Sequence, residues 1–102
     1  MIVVEKNTGT KIPYEVSGTK ITFDDELTQN LKKLQKDGPV HKDICYDEDG
    51  DLCIGAAAGR QYVAELDIPG FEYETTGEGD EQTTEVLPLD MDKVVLTLWA
   101  ID

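Results

Sequence analysis

The chain has 102 residues, 39% of them hydrophobic, and a formal net charge of −13 at pH 7. That length supports one domain, expected to span residues 1–102, with one modest core and no deep enclosed cavity. No run reaches the roughly 18–20 apolar residues of a membrane span, and Met1-Ile2-Val3-Val4-Glu5-Lys6 lacks the basic flank and apolar core of a secretory leader, so a cytoplasmic protein without membrane contact is expected.

The first elements read as a β-meander. Residues 2–5 form a short strand, and Asn7-Thr8-Gly9 is a turn signal. Residues 11–16 and 19–23 flank Ser17-Gly18, a two-residue hairpin turn. In that register Ile12, Tyr14 and Val16 face Phe23, Ile21 and Thr19, which makes one face almost wholly apolar.

One short α-helix is predicted at about residues 25–37. Asp24 or Asp25 can cap it, and Leu27, Leu31 and Leu34 form an apolar stripe at helical spacing. Lys32, Lys33 and Lys36 suit its C-terminal end, and Gly38-Pro39 stops it. The stripe is narrow, as for a helix lying across a sheet.

A second hairpin runs from 43 to 54. If Glu48-Asp49-Gly50 make a three-residue loop, Cys45 stands opposite Cys53; if only Asp49-Gly50 turn, Tyr46 does. Residues 55–59 are a connection of small residues. Tyr62, Ala64, Leu66 and Ile68 then alternate with Val63, Glu65 and Asp67, a strand with one wet face that ends at Pro69-Gly70. Residues 71–75 and 83–87 form a third hairpin around an acidic connection expected to be mobile. The apolar run 94–101 reads as a central strand buried on both faces. Together these elements predict an α+β domain: a mainly antiparallel β-sheet of meander and hairpins, barrel-like in one version, curled around or packed on one short α-helix.

The charge is unevenly spread. Residues 1–42 hold seven lysines against six acids, whereas residues 43–102 hold Arg60 and Lys93 against sixteen acids, a net −14. Such a field repels nucleic acid and anionic lipid and attracts basic proteins and divalent cations. It also serves solubility.

Few residues assemble chemistry. Asp47, Asp49 and Asp51 alternate as at the opening of a calcium loop, and they are the candidate metal ligands. Placing Gly50 at the loop's sixth position, however, puts Cys45 first and Ala56 last, so two ligand positions fail. Aspartates around a glycine are also ordinary turn chemistry. His41 with Asp43, Cys45 and Cys53 offers zinc-ligand types, but without a close CxxC pair. As a Cys–His nucleophile the same set lies in an acidic stretch, which raises a thiol pKa. Ser17 is the single serine and sits in a turn. The 55–59 connection before Arg60 lacks the phosphate-loop pattern. No catalytic residue and no cofactor is therefore expected, and the chain reads as a non-enzyme.

The stretches Tyr62-Val63-Ala64-Glu65-Leu66-Asp67-Ile68-Pro69 and Leu89-Asp90-Met91-Asp92-Lys93-Val94-Val95-Leu96-Thr97-Leu98-Trp99 resemble small proteins carried by prophages and mobile elements of Gram-positive bacteria. The resemblance covers about the last forty residues and rests on no catalytic motif. It implies a small structural or accessory protein, virion-associated if phage-derived.

The expected role is a protein-interaction or assembly module. Glu72, Glu74, Glu78, Asp80, Glu81 and Glu85 would form its interaction surface for a partner with a basic face. Open strand edges also allow a homo-oligomer. The competing role is an inhibitor whose carboxylates imitate nucleic-acid phosphates, and a weaker one is divalent-cation binding.

Overall fold

The computed structural model describes residues 1–57 and 59–102; Ala58, in the small-residue connection, lies outside the described residues. Among the described residues, ten strands make three sheets. The largest has the order β1 (Ile2–Glu5), β10 (Val95–Leu98), β7 (Gln61–Ile68), β5 (Val40–Tyr46), β6 (Leu52–Ile54). Its pairings are antiparallel except β1 with β10, which is parallel. The sheet is open, with β1 and β6 at its ends, so it does not close into a barrel.

A second sheet, β2 (Tyr14–Ser17), β3 (Lys20–Phe23), β4 (Leu27–Asn30), is joined to the first by one buried cluster. Ile21 and Phe23 of β3 meet Ile44, Leu66 and Leu96 there, with Ile12 and Leu31. Each such side chain removed from water contributes on the order of 1.5–3 kcal/mol, and this cluster is the main source of stability. The β2–β3 register is shifted by two residues from expectation: Tyr14 pairs with Phe23 and Val16 with Ile21, and Gly18-Thr19 make the turn. A shift of two preserves the faces, so the apolar side stays apolar.

The predicted helix is corrected. Residues 27–30 form strand β4, and only Leu31–Leu34 are helical (α1). Asp24 and Asp25 take left-handed φ values of 51° and 52°, which aspartate tolerates better than most side chains, and they reverse the chain instead of capping a helix. Leu27 then pairs with Phe23 and Gln29 with Ile21. The Thr22 and Thr28 hydroxyls join across the strands at 2.9 Å. Once β3 exposes an open edge and an apolar face, the ladder outcompetes a helix whose stripe is three leucines wide. Gln35 leaves the helix in extended geometry and donates from Nε2 to the carbonyls of Pro69 and Gly70.

The β5–β6 hairpin uses the three-residue loop, with Cys45 opposite Cys53. Gly50 has φ +81°, the left-handed position such a loop requires. Strand β10 lies inside the sheet between β1 and β7, but it is shorter than the apolar run and is buried on one face only. Leu96 and Leu98 point into the core while Val95 and Thr97 are half-exposed. The chain end is tied to the 7–10 turn: Ile101 N–H donates to the Thr10 carbonyl, and Ala100 N–H to Asn7 Oδ1.

The third sheet is a separate two-stranded arm, β8 (Tyr73–Thr76) and β9 (Thr83–Val86), every residue of which is exposed. The molecule measures 58 × 24 × 21 Å with a radius of gyration of 16.5 Å. A compact chain of this length would have about 13 Å. No helix is long and apolar enough to cross a membrane among the described residues.

Candidate functional site

Strand alternation brings one histidine and three carboxylates onto the face of the five-stranded sheet that points away from the core. Along β5, His41 and Asp43 face outward while Ile44 is buried; along β7, Glu65 and Asp67 face outward while Leu66 and Ile68 are buried. The β5–β7 register sets His41 opposite Asp67 and Asp43 opposite Glu65, a two-by-two block. His41 Nδ1 lies 2.6 Å from Asp67 Oδ1, and Nε2 lies 2.8 Å from Asp43 Oδ1 and 3.5 Å from Glu65 Oε1. Asp43 and Glu65 are largely covered, with side chains 22% and 23% exposed, against 46% for His41.

An ionised carboxylate only accepts hydrogen bonds. Both ring nitrogens facing carboxylates therefore favours an imidazolium that donates from each. The hydrogen bond to Asp67, then that to Asp43, raises the His41 pKa above its ordinary 6.5 against the opposing effect of burial, and the charges of both carboxylates add to the rise.

A bulge extends this face toward Trp99. Between Ala64, paired with Ile44, and Tyr62, paired with Cys45, the ladder skips Val63. The extra residue reverses the alternation, so Val63 and Ala64 are both buried and Tyr62 turns outward. Tyr62 stacks on Trp99 with centroids 5.2 Å apart, and Trp99 Nε1–H donates to Glu65 Oε2 at 2.8 Å. Lys6 Nζ lies 5.6 Å from the Trp99 ring.

The cysteines do not join His41. Among the described residues, the group whose ligand atoms all lie within 4.8 Å of one another is His41, Asp43 and Glu65. Cys45 is buried beneath Gly59, where a Cβ would lie 2.7 Å from its own Cβ. Burial, then the charges of Cys53, Asp43 and Glu65, pushes its thiol pKa up, the direction that suppresses a nucleophile. Both cysteines are free. Asp47, Asp49 and Asp51 stay in the hairpin loop, where Asp47 Oδ1 accepts from the backbone N–H of Asp49 and of Asp51 and so builds the turn. A hollow of about 410 Å³ opens beside that loop, lined by Asp24, Glu26, Tyr46 and Arg60 among others.

The expected interaction residues divide along the arm. Glu74 and Glu85 stand directly opposite each other, Glu78, Asp80 and Glu81 occupy the tip, and Glu72 pairs with Lys93 at the base. Tyr73 and Val86 pair on the other face and are 52% and 53% exposed. The arm is braced by Thr76–Thr83 and Thr75–Thr84 hydroxyl contacts and by Tyr73 Oη–H donating to Asp37.

Glu65 and Asp67 were missing from the candidates read off the sequence. Their place on a wet face was legible from alternation; that β5 would lie beside β7 in this register was not. No protein-family model matches the chain, and no curated protein or solved structure matches it either.

Proposed function

We propose that the protein is a non-enzymatic interaction module that offers its β8–β9 arm to a protein with a basic surface. One observation carries this reading: residues 71–92 hold eight acids and no lysine or arginine, and they include an exposed two-stranded arm on which Glu74 directly faces Glu85. Like charges opposite each other weaken a hairpin, and an isolated pair of strands is already marginal. A basic partner supplies the missing counter-charge, so binding and ordering of the arm reinforce each other. The resemblance of the C-terminal stretches to small proteins of prophages and mobile elements, which implies a structural or accessory role, suggests an assembly setting for that partner.

The test is capture from host lysate with the full chain, eluted in salt steps, beside a variant carrying E74Q, E78Q, D80N, E81Q and E85Q. A basic protein held by the native chain and lost from the variant supports the module. Equal recovery by both chains, or recovery of the protein alone, overturns it. A nucleic-acid-binding protein displaced by added DNA would replace it with the phosphate-mimic reading.

A further inference from the structure

We propose that His41, Asp43 and Glu65 form a binding site for one divalent transition-metal ion, with Zn²⁺ as the best-fitting occupant. The site is separate from the arm and does not depend on the role proposed for it.

The donor set and its spacing carry the inference. A tetrahedral Zn²⁺ with bonds of about 2.0 Å holds its ligand atoms about 3.3 Å apart. His41 Nε2 stands 2.8 Å from Asp43 Oδ1 and 3.5 Å from Glu65 Oε1, on either side of that spacing. All three ligand atoms fall within 4.8 Å of one another. Three protein ligands leave one position for water or a further ligand, and His41 keeps the site open to solvent.

The surrounding groups are placed as supports of a metal site. Metal-bound histidine usually donates its other ring N–H to a carboxylate, which fixes the tautomer and the ring plane. Asp67 does this at Nδ1, leaving Nε2 for the ion. Trp99 holds Glu65 through Oε2, leaving Oε1 directed at His41. Charge favours exchange of the Nε2 proton for a dication. Three carboxylates and an imidazolium sum to −2; with neutral imidazole and Zn²⁺ they sum to −1. Imidazole with two carboxylates suits Zn²⁺ better than Ca²⁺ or Mg²⁺, which prefer an all-oxygen shell.

The experiment is a Zn²⁺ titration of the full, metal-stripped chain, read by calorimetry and by the fluorescence of Trp99, the single tryptophan. One saturable site that perturbs Trp99 is expected. H41A and D43N should each weaken it at least tenfold, and D67N, which alters a positioning residue, by about 10- to 100-fold. D49N and E78Q should leave it unchanged. Circular dichroism establishes that each variant is folded, and the near-isosteric D43N serves if H41A is not. Co²⁺ provides a readout that a purely structural role would not move: weak visible bands of a nitrogen–oxygen shell are expected. An intense near-ultraviolet thiolate band would assign the ion to the cysteines and overturn the proposal. So would several weak sites insensitive to H41A and D43N.

Discussion

Two pairs of acids face each other across antiparallel strands, and the protein treats them differently. Asp43 opposes Glu65 in the middle of the five-stranded sheet, and Glu74 opposes Glu85 on the arm. The first pair sits on strands whose other face buries Ile44, Ala64 and Leu66, and His41 and Trp99 donate to its carboxylates. The second pair has a solvated strand on both faces and no donor of that kind among the described residues. In the sheet, like charge is held in place by burial on the opposite face and becomes a binding geometry. On the arm it has only the hairpin to hold it and remains a field.

The largest expected effects lie in the element that supports the first pair. Leu96→Ala should cost about 2–5 kcal/mol by denaturant unfolding, because it opens a cavity in the interior strand β10. Deleting residues 98–102 should abolish folding. It removes Leu98, paired with Ala64, the Trp99–Val63 backbone bond and the Ile101–Thr10 bond. A cooperative melt from that truncation would show that the second sheet and β7 suffice without it.

The arm should behave in the opposite way. Replacing residues 74–85 by a two-residue turn keeps Tyr73 on Asp37 and Glu72 on Lys93, and touches none of the core. The melting midpoint should hold within a few degrees. A fall above about 8 °C, more than 1 kcal/mol in a domain of this size, would mean that the arm braces the body.

Neutralising one acid of each pair sharpens the contrast, because the signs should differ. Glu74→Thr removes the repulsion and adds a β-branched residue, so it should stabilise the arm by about 0.2–1 kcal/mol, read as slower amide exchange at Thr76 and Thr83, whose N–H groups face the partner strand. Asp43→Asn should destabilise slightly, since it weakens the acceptor for His41 Nε2. The same sign for both would mean that His41 does not compensate its pair.

How much of this was legible depends on the range of the interaction that decides each element. The 43–54 hairpin and the wet face of β7 were readable because Asp49-Gly50 and the alternation from 64 to 68 act locally. The helix misread came from a pattern that fits two structures. Leu27, Leu31 and Leu34 repeat at helical spacing, yet Leu27 is held by its cross-strand partner Phe23, and only the neighbouring β3 edge decides between them. The same limit hid the His41 group. His41 was read outside a strand that was expected to begin at Asp43 but begins at Val40, and Glu65 and Asp67 were placed on the wet face of another; the pairing that unites them spans some twenty-five residues of sequence. Tyr62 was assigned to the core face because strict alternation does not foresee a bulge at Val63.

The smallest expected effect tests His41 in the metal-free protein by its pH dependence. The groups facing the imidazole are Asp43 on its own strand and Glu65 and Asp67 on β7. The folded protein holds the imidazole proton more tightly than the unfolded chain, because the hydrogen bonds to Asp67 and Asp43 raise its pKa above 6.5. The resulting stabilisation is complete below the unfolded pKa and is lost as pH rises through the raised folded value. In chelator-treated samples, the stability lost in His41→Gln should therefore be greater at about pH 5.5 than at about pH 8.5. Solvent exposure of the ring limits the difference to about 1 kcal/mol or less. If that profile is flat, the imidazole does not donate to two carboxylates at once, and Trp99 is left as the donor to the acidic pair of the sheet.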